Sequence, residues 1–118
     1  MEKLSATEEE VMQVIWKKQS GFVRDFMEDL KDPPPYTTLA SIIKNLEKKG
    51  FLKSRKMANS YQYEPVITWE AYNRNHLSHV VKDYFSNSYK EMVSFFAREQ
   101  KISPEELKEI IAMIEQKK

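Results

Sequence analysis

Apolar residues recur at helical spacing near the start of the chain and predict two helices. The first, over residues 7–18, has a stripe formed by Val11, Met12, Ile15 and Trp16. Ser5 and Glu8 have the spacing of a capping box, a reciprocal hydrogen-bond pair that begins many helices. The second, over residues 23–31, would turn four residues to the core: Phe22, Phe26, Met27 and Leu30. Three consecutive prolines, residues 33–35, end that region because proline cannot continue a helix.

The next apolar stripe predicts a third helix that starts near Thr37. Its buried positions are Leu39, Ile42, Ile43 and Leu46. The outer face then consists of Thr37, Thr38, Ala40, Ser41, Lys44, Asn45 and Lys48. This face is small and polar at its N-terminal end and basic towards its C-terminal end. Small side chains permit close approach to base edges and basic ones reach phosphates, although a merely solvated face explains this helix alone equally well.

A β-hairpin pattern follows Gly50, with strands predicted over residues 51–56 and 61–65. Tyr61 and Tyr63 alternate with Gln62, which predicts that both tyrosines pack on the core. Arg55 and Lys56 lie near the turn, where they could touch a DNA backbone. Three helices followed by a two-stranded wing are typical of a helix-turn-helix variant whose third helix enters the major groove.

The chain becomes helical again after Pro65, with helices predicted over residues 69–85 and 89–99 and a last one that begins at Ser103 and Pro104. Thr68 can cap the first of them. We therefore expect a mostly α-helical protein with a small β-hairpin wing. Its domains would be a winged-helix DNA-binding domain over residues 1–67 and a helical dimerisation domain over residues 68–118.

The C-terminal helices contain more apolar surface than a small winged head could cover, and exposed apolar surface usually binds a partner. A homodimer would cover it, and two recognition helices would match a palindromic site. The residues expected at the dimer interface are Tyr72, Val80, Tyr84, Phe85, Phe95, Phe96, Leu107, Ile110, Ile111 and Ile114.

Charge separates one region of the chain from the rest. Residues 36–63 contain six Lys or Arg against one acid, whereas the whole chain has a net charge of only +1. Such a local positive field attracts a phosphate backbone. The absence of cysteine excludes disulfides and thiolate metal sites, and no apolar run is long enough to enter a membrane. We expect a soluble, cytoplasmic protein.

Other chemistry has little support in the sequence. His76, His79 and Asp83 share one helical face and could bind a metal, but surface or interface histidines are favoured because a site needs further ligands. The aromatic segment from Tyr84 to Phe96 could form a small-molecule pocket, although core or dimer interface is favoured. No nucleophile–base set or Gly-rich loop is present, so we expect neither catalysis nor a cofactor.

Several motifs, in this order and spacing, resemble the penicillinase-repressor family of winged-helix transcriptional repressors. They are residues 10–16 (EVMQVIW), 23–26 (VRDF), 36–39 (YTTL), 46–52 (LEKKGFL), 61–65 (YQYEP), 92–96 (MVSFF) and 102–107 (ISPEEL). The resemblance implies a homodimer that binds double-stranded DNA at a palindromic operator and blocks transcription, often of β-lactamase or related resistance genes.

The resemblance also implies regulation by a membrane sensor-protease pathway that cleaves the C-terminal region, here between Phe95 and Phe96. The sequence differs from the family pattern in three places. Ala58-Asn59 forms the wing tip where many members have Gly-Arg, Ala40 stands where some have a long side chain, and Phe95 replaces an Asn before the cleavage point. Without cysteines, copper sensing as in one branch of the family is not expected.

Two classes of function therefore remain open on the sequence. One is a dimeric DNA-binding repressor. The other is a winged-helix protein–protein interaction module that does not bind DNA. The lysines of the third helix and the charges of the wing distinguish them, because only the first class requires these side chains for binding.

Overall fold

The structure, a computed structural model, describes residues 3–116 and is mostly helical, with one antiparallel hairpin. Its elements are α1 (Ala6–Lys18), α2 (Val23–Asp29), α3 (Tyr36–Lys48), β1 (Leu52–Met57), β2 (Ser60–Pro65), α4 (Trp69–Tyr84), α5 (Tyr89–Arg98) and α6 (Pro104–Gln116). The predicted fold class, a winged helix followed by helices, is confirmed. The chain divides into two compact units, one up to Asn73 and one from Arg74. The predicted functional boundary after residue 67 stays a prediction.

The first unit has a core built from all three N-terminal helices, the hairpin and the start of α4. The predicted stripe of α1 is buried, as are Phe26 of α2 and three of the four expected residues of α3. Ile42, the fourth, is partly buried and packs against that core. The core consists of Leu4, Val11, Met12, Ile15, Trp16, Val23, Phe26, Leu39, Ile43, Leu46, Phe51, Leu52, Tyr63 and Tyr72.

Local capping explains where most helices begin. The predicted capping box of α1 is present, with the Glu8 backbone N–H donating to Ser5 Oγ at 3.1 Å and the Ser5 N–H donating to Glu8 Oε1 at 2.9 Å. Ser103 and Glu106 form the same pair at α6. Helix α2 ends at Asp29, two residues earlier than predicted, because Leu30 adopts an extended backbone and packs partly buried against the core.

Gly50 forms the tight turn between the end of α3 and the first strand of the wing. Its φ of +87° lies in the left-handed region, where glycine has no side-chain penalty. The N–H of Phe51 donates to the carbonyl of Leu46, and that of Gly50 donates to the carbonyl of Glu47, both at 3.0 Å. This is the Schellman pattern, which satisfies carbonyls at the end of a helix. The third helix therefore stops at a fixed point, and β1 begins two residues later.

The hairpin pairs Leu52 with Pro65 at its base and Met57 with Ser60 at its tip. At the base, Tyr63 also pairs with Gly21 through two backbone hydrogen bonds of 2.8 and 3.0 Å. Tyr63 is 4% exposed as predicted, but the prediction for Tyr61 is wrong, since it is 48% exposed. Residues 53–62 include no buried residue. The tip of the hairpin therefore extends beyond the core, and Tyr61, which lies in it, is exposed.

The second unit covers much less of its apolar surface. Val81 is fully buried, but α5 and α6 contain no buried residue. Phe95 contacts Phe85 and Phe96, with ring centroids 5.8 and 5.4 Å apart. Within the part of the chain that is described, no helix is both long and apolar enough to span a membrane.

Candidate nucleic-acid interface

The outer face of α3 presents the residues that the sequence predicts for DNA binding. Leu39, Ile43 and Leu46 are buried, which turns the opposite face of the helix outward. Exposed on that face are Thr37, Thr38, Ser41, Lys44, Asn45 and Lys48, while Ala40 is half-buried. The structure thus brings one small, polar and basic set onto a single helix surface, flanked by two grooves.

The first groove separates α3 from the wing and has a volume of about 660 Å³. We call it the wing-side groove. Its walls come from the start of α2, from α3 and from the tip of the hairpin: Phe22, Val23, Arg24, Asp25, Tyr36, Ala40, Lys44, Met57, Ala58, Asn59, Ser60, Tyr61 and Tyr63. Apolar and aromatic side chains with Arg24 and Lys44 among them suit the sugars and phosphates of a nucleic-acid strand.

The second groove, the α1-side groove, lies between α3 and the start of α1 and also has a volume of about 660 Å³. It is lined by Ser5, Thr7, Glu8, Thr38, Ser41, Ile42, Asn45 and Lys49. Most of these residues have polar side chains, but the surface that they present to the groove is mainly apolar. Their hydroxyl, amide and carboxylate groups add hydrogen-bonding positions to that apolar surface.

Glu8 joins the two helices across the α1-side groove. Its Oε1 accepts a hydrogen bond from Lys49 Nζ at 2.8 Å, and its Oε2 accepts one from Asn45 Nδ2 at 2.8 Å. Burial alone would raise the pKa of Glu8, but the bonds from Lys49, the Ser5 N–H and Asn45 outweigh it and lower the pKa to about 2. The carboxylate is therefore charged at neutral pH, and it neutralises Lys49, which the sequence counts in the positive excess.

The wing has one paired and two unpaired basic residues. Lys53 forms a salt bridge with Glu64 at 3.4 Å. Arg55 Nη2 donates to Gln62 Oε1 at 3.2 Å but has no carboxylate partner. Over residues 3–116, neither Arg55 nor Lys56 forms a salt bridge, and the same holds for Lys44 and Lys48 of α3. These four side chains therefore have charge available for phosphates.

Sequence reasoning missed Arg24 and Tyr36. The Arg24 guanidinium lies 5.7 Å from the centroid of the Tyr36 ring, which places a cation against an aromatic face at the edge of the wing-side groove. The signal available in the sequence was the basic position inside the motif of residues 23–26. Its place beside the third helix depends on the packing of α2 and could not be deduced from spacing.

The residues predicted for dimerisation fall into two groups. Tyr72 belongs to the first unit, where it is buried against Trp16 and Phe51 and donates its hydroxyl hydrogen to Glu9 at 2.6 Å. Burial, followed by this hydrogen bond, raises the pKa of Tyr72 to about 12. The other nine residues are exposed or half-buried residues of the second unit: Val80, Tyr84, Phe85, Phe95, Phe96, Leu107, Ile110, Ile111 and Ile114.

The histidines that share a face of α4, His76 and His79, are exposed, as is Asp83. Among the described residues, no group of three His, Cys, Asp or Glu side chains is arranged to hold a metal ion.

The sequence profile of the penicillinase repressor family matches residues 4–116. Similar proteins include the methicillin resistance regulatory protein MecI of Staphylococcus aureus strain N315, 24% identical over 98% of this chain and 95% of that one. The penicillinase repressor of Bacillus licheniformis is 26% identical over 98% of this chain and 92% of that one.

Similar solved structures include BpsR of Bordetella bronchiseptica, with a TM-score of 0.49 and 15% identity over 97% of this chain and 74% of that chain. Another is the zinc-responsive MarR family member ZitR of Lactococcus lactis, with a TM-score of 0.46 and 20% identity over the same shares.

Proposed function

This chain belongs to the penicillinase repressor family of DNA-binding transcriptional repressors, and we propose that it acts as a homodimer on a palindromic double-stranded operator. In each protomer, α3 would enter the major groove and the wing would follow the neighbouring backbone. The observation that carries the proposal is the outer face of α3, where small polar residues are followed by cations without carboxylate partners.

The residues divide by the part of DNA that they can reach. Small or polar side chains along α3 would contact base edges: Thr37, Thr38, Ala40, Ser41 and Asn45. Exposed cations of α2, α3 and the wing, of which Arg24 and Lys44 line the wing-side groove, would contact phosphates: Arg24, Lys44, Lys48, Arg55 and Lys56. Phosphate contacts fix the position of the protein, and base contacts determine the sequence it prefers.

The second unit supports dimerisation because its last two helices leave their apolar stripes uncovered. Ile111 and Ile114 of α6 are 52% and 61% exposed. We propose that the same surfaces of two protomers cover one another, since a symmetric dimer uses one patch twice. Two linked recognition helices bind two half-sites far more tightly than one helix binds one.

We further propose that the operator controls β-lactamase or related resistance genes, and that proteolysis between Phe95 and Phe96 relieves repression. The names of similar proteins, methicillin resistance regulatory protein and penicillinase repressor, support the first point. Phe95 and Phe96 are 42% and 40% exposed on α5. Cleavage there would separate α6 from the winged helix and lower bivalent affinity. Co-expression with a membrane sensor-protease, followed by mass spectrometry, tests the position.

The central experiment is a gel shift on duplex DNA from upstream of the protein's own gene at several salt concentrations. We expect affinity to fall steeply with salt, since each neutralised phosphate contributes about 0.9 to the slope of log affinity against log salt. Lys44→Ala should weaken binding to all duplexes and lower that slope by about one.

Lys17→Ala is the matched control, because Lys17 is an exposed lysine of α1 that lines neither groove beside α3. It should leave affinity and salt slope unchanged. Thr38→Ala and Ser41→Ala should instead alter sequence preference. Binding that depends on neither salt nor Lys44 would contradict the proposal and favour a protein–protein interaction module.

A further inference from the structure

Glu8 fixes the orientation of an amide on the proposed DNA-binding face. We infer that Asn45 accepts a hydrogen bond from the exocyclic amino group of adenine or cytosine, with Glu8 as the positioning residue that sets this preference. The inference rests on the proposed function and adds one rule of base choice to it. It follows from which atoms can donate and which can only accept.

The first step concerns the bond between the two side chains. An ionised carboxylate has no hydrogen to give, so the Asn45 atom 2.8 Å from Glu8 Oε2 must be the amide nitrogen. The side-chain carbonyl oxygen, Oδ1, is therefore directed away from Glu8. A free asparagine on a helix surface could rotate and present either group, and this one cannot do so without losing its bond to Glu8.

The second step is that Glu8 itself has little freedom to move. It is only 7% exposed, and its Oε1 accepts from both the Ser5 N–H at 2.9 Å and Lys49 Nζ at 2.8 Å. One oxygen is thus held by the helix cap and by an ion pair. The other oxygen remains in a set position for Asn45, so the amide orientation is determined before any DNA arrives.

The third step concerns the free end of the amide. Asn45 is exposed, and no donor within residues 3–116 forms a hydrogen bond with its Oδ1. Thr38 and Ser41 line the same α1-side groove, but a hydroxyl can donate or accept and adapts to either kind of base edge. Asn45 is the member of this set whose side-chain oxygen, directed away from Glu8, can only accept, although its Nδ2 keeps one hydrogen beyond the bond to Glu8.

Base chemistry then gives the preference. In the major groove, adenine presents its N6 amino group and cytosine its N4 amino group, whereas guanine and thymine present carbonyl oxygens at the corresponding positions. An acceptor directed at an acceptor leaves both without a hydrogen. We therefore expect one operator position to favour adenine or cytosine over guanine or thymine by about tenfold, the effect of roughly 1.4 kcal/mol.

The test is selection of binding sites from a randomised duplex library with four proteins: the unchanged chain, Asn45→Ala, Glu8→Gln and Lys49→Gln. Asn45→Ala should abolish the preference for adenine or cytosine at one operator position and leave the base preferences at the other positions unchanged. Glu8→Gln should reduce the preference at that position from about tenfold to about twofold. A glutamine can also donate a hydrogen bond, so the Asn45 amide can rotate and present its nitrogen to guanine or thymine.

Lys49→Gln is the matched control. It removes the ion pair but leaves the bond between Glu8 and Asn45, so it should lower stability without changing the base ranking. A merely structural role of Glu8 would make Glu8→Gln and Lys49→Gln alike. If the unchanged chain binds DNA and Asn45→Ala keeps every base ranking, the inference is wrong while the proposed function stands. If the unchanged chain binds no duplex, both fail.

A second measurement tests the orientation without DNA. In the free protein, the side-chain amide hydrogens of Asn45 should exchange with water more slowly than those of Asn59, which is exposed at the wing tip. Glu8→Gln should remove much of the difference. Equal exchange at Asn45 and Asn59 in the unchanged chain would overturn the inference. If Glu8→Gln fails to fold, Asn45→Ala and this comparison still decide the matter.

Discussion

Helices α3 and α6 are each 13 residues long and each has an apolar stripe, but only α3 covers it. Leu39, Ile43 and Leu46 are fully buried in the first unit, whereas α6 contains no buried residue. Similar periodicity thus leads to different burial, because burial depends on neighbouring elements. Helix α3 has α1, α2 and the hairpin around it, whereas the stripe of α6 stays exposed.

The largest expected difference in stability between the two units comes from replacing one phenylalanine in each. Phe26→Ala removes a fully buried ring from the first unit and should lower the free energy of unfolding by about 3–5 kcal/mol. Phe96→Ala, in the second unit, should cost far less in dilute protein because that ring is 40% exposed. Urea denaturation measures both. Equal losses would contradict the difference in burial.

A charge on the uncovered stripe of α6 should act on association rather than on folding. Ile111→Glu places a carboxylate at the centre of the proposed dimer surface and should weaken dimerisation by about 2 kcal/mol or more, roughly thirtyfold. Ala112→Glu adds the same charge at the next exposed position, turned 100° around the helix. Sedimentation equilibrium should show a monomer only for the first variant, and identical behaviour would exclude this surface.

Glu8 provides a pH-dependent test of the first unit. Glu8→Gln should lower stability at pH 7 by about 1–3 kcal/mol, because Lys49 and two N–H groups lose a charged acceptor. Since the fold lowers the pKa from 4.5 to about 2, the stabilisation is complete above pH 4.5 and is lost as the pH falls through 2. The difference in stability between the unchanged chain and Glu8→Gln should therefore decrease as the pH falls from 4.5 towards 2.

Thermal unfolding from pH 7 to pH 2 measures this difference. Glu10→Gln is the control, since Glu10 is an exposed acid of the same helix and forms no salt bridge among the described residues. A constant difference between Glu8→Gln and the unchanged chain would show that the ion network contributes nothing through its charge.

The smallest effect concerns the exit from α3. Gly50→Ala should cost about 1–2 kcal/mol, because a side chain is strained at a φ of +87°. Apart from Gly50 and its two chain neighbours, no atom of the described residues lies within 4 Å of the added methyl group, so the cost would arise from the backbone alone. Chemical denaturation measures it, and a loss below about 0.5 kcal/mol would show that the turn relaxes.

Sequence reasoning succeeded where the cause of a structure is local. The caps at Ser5 and Ser103 and the change from helix to strand at Gly50 depend on residues within a few positions, and these predictions are confirmed. It failed for Tyr61, because alternation along a strand does not reveal where the core ends. The link from Glu8 to Lys49 spans 41 positions, and the pairing of Gly21 with Tyr63 spans 42, so neither has a local signature.

The Glu8 carboxylate accepts hydrogen bonds both in the first turn of α1 and from the last turn of α3. We therefore expect these two helix ends to unfold locally at the same time. Helix termini usually fray independently of one another. Here, deuterium should enter the amides of both turns at similar rates, and weakening the Ser5 cap should speed exchange at the distant end of α3 as well.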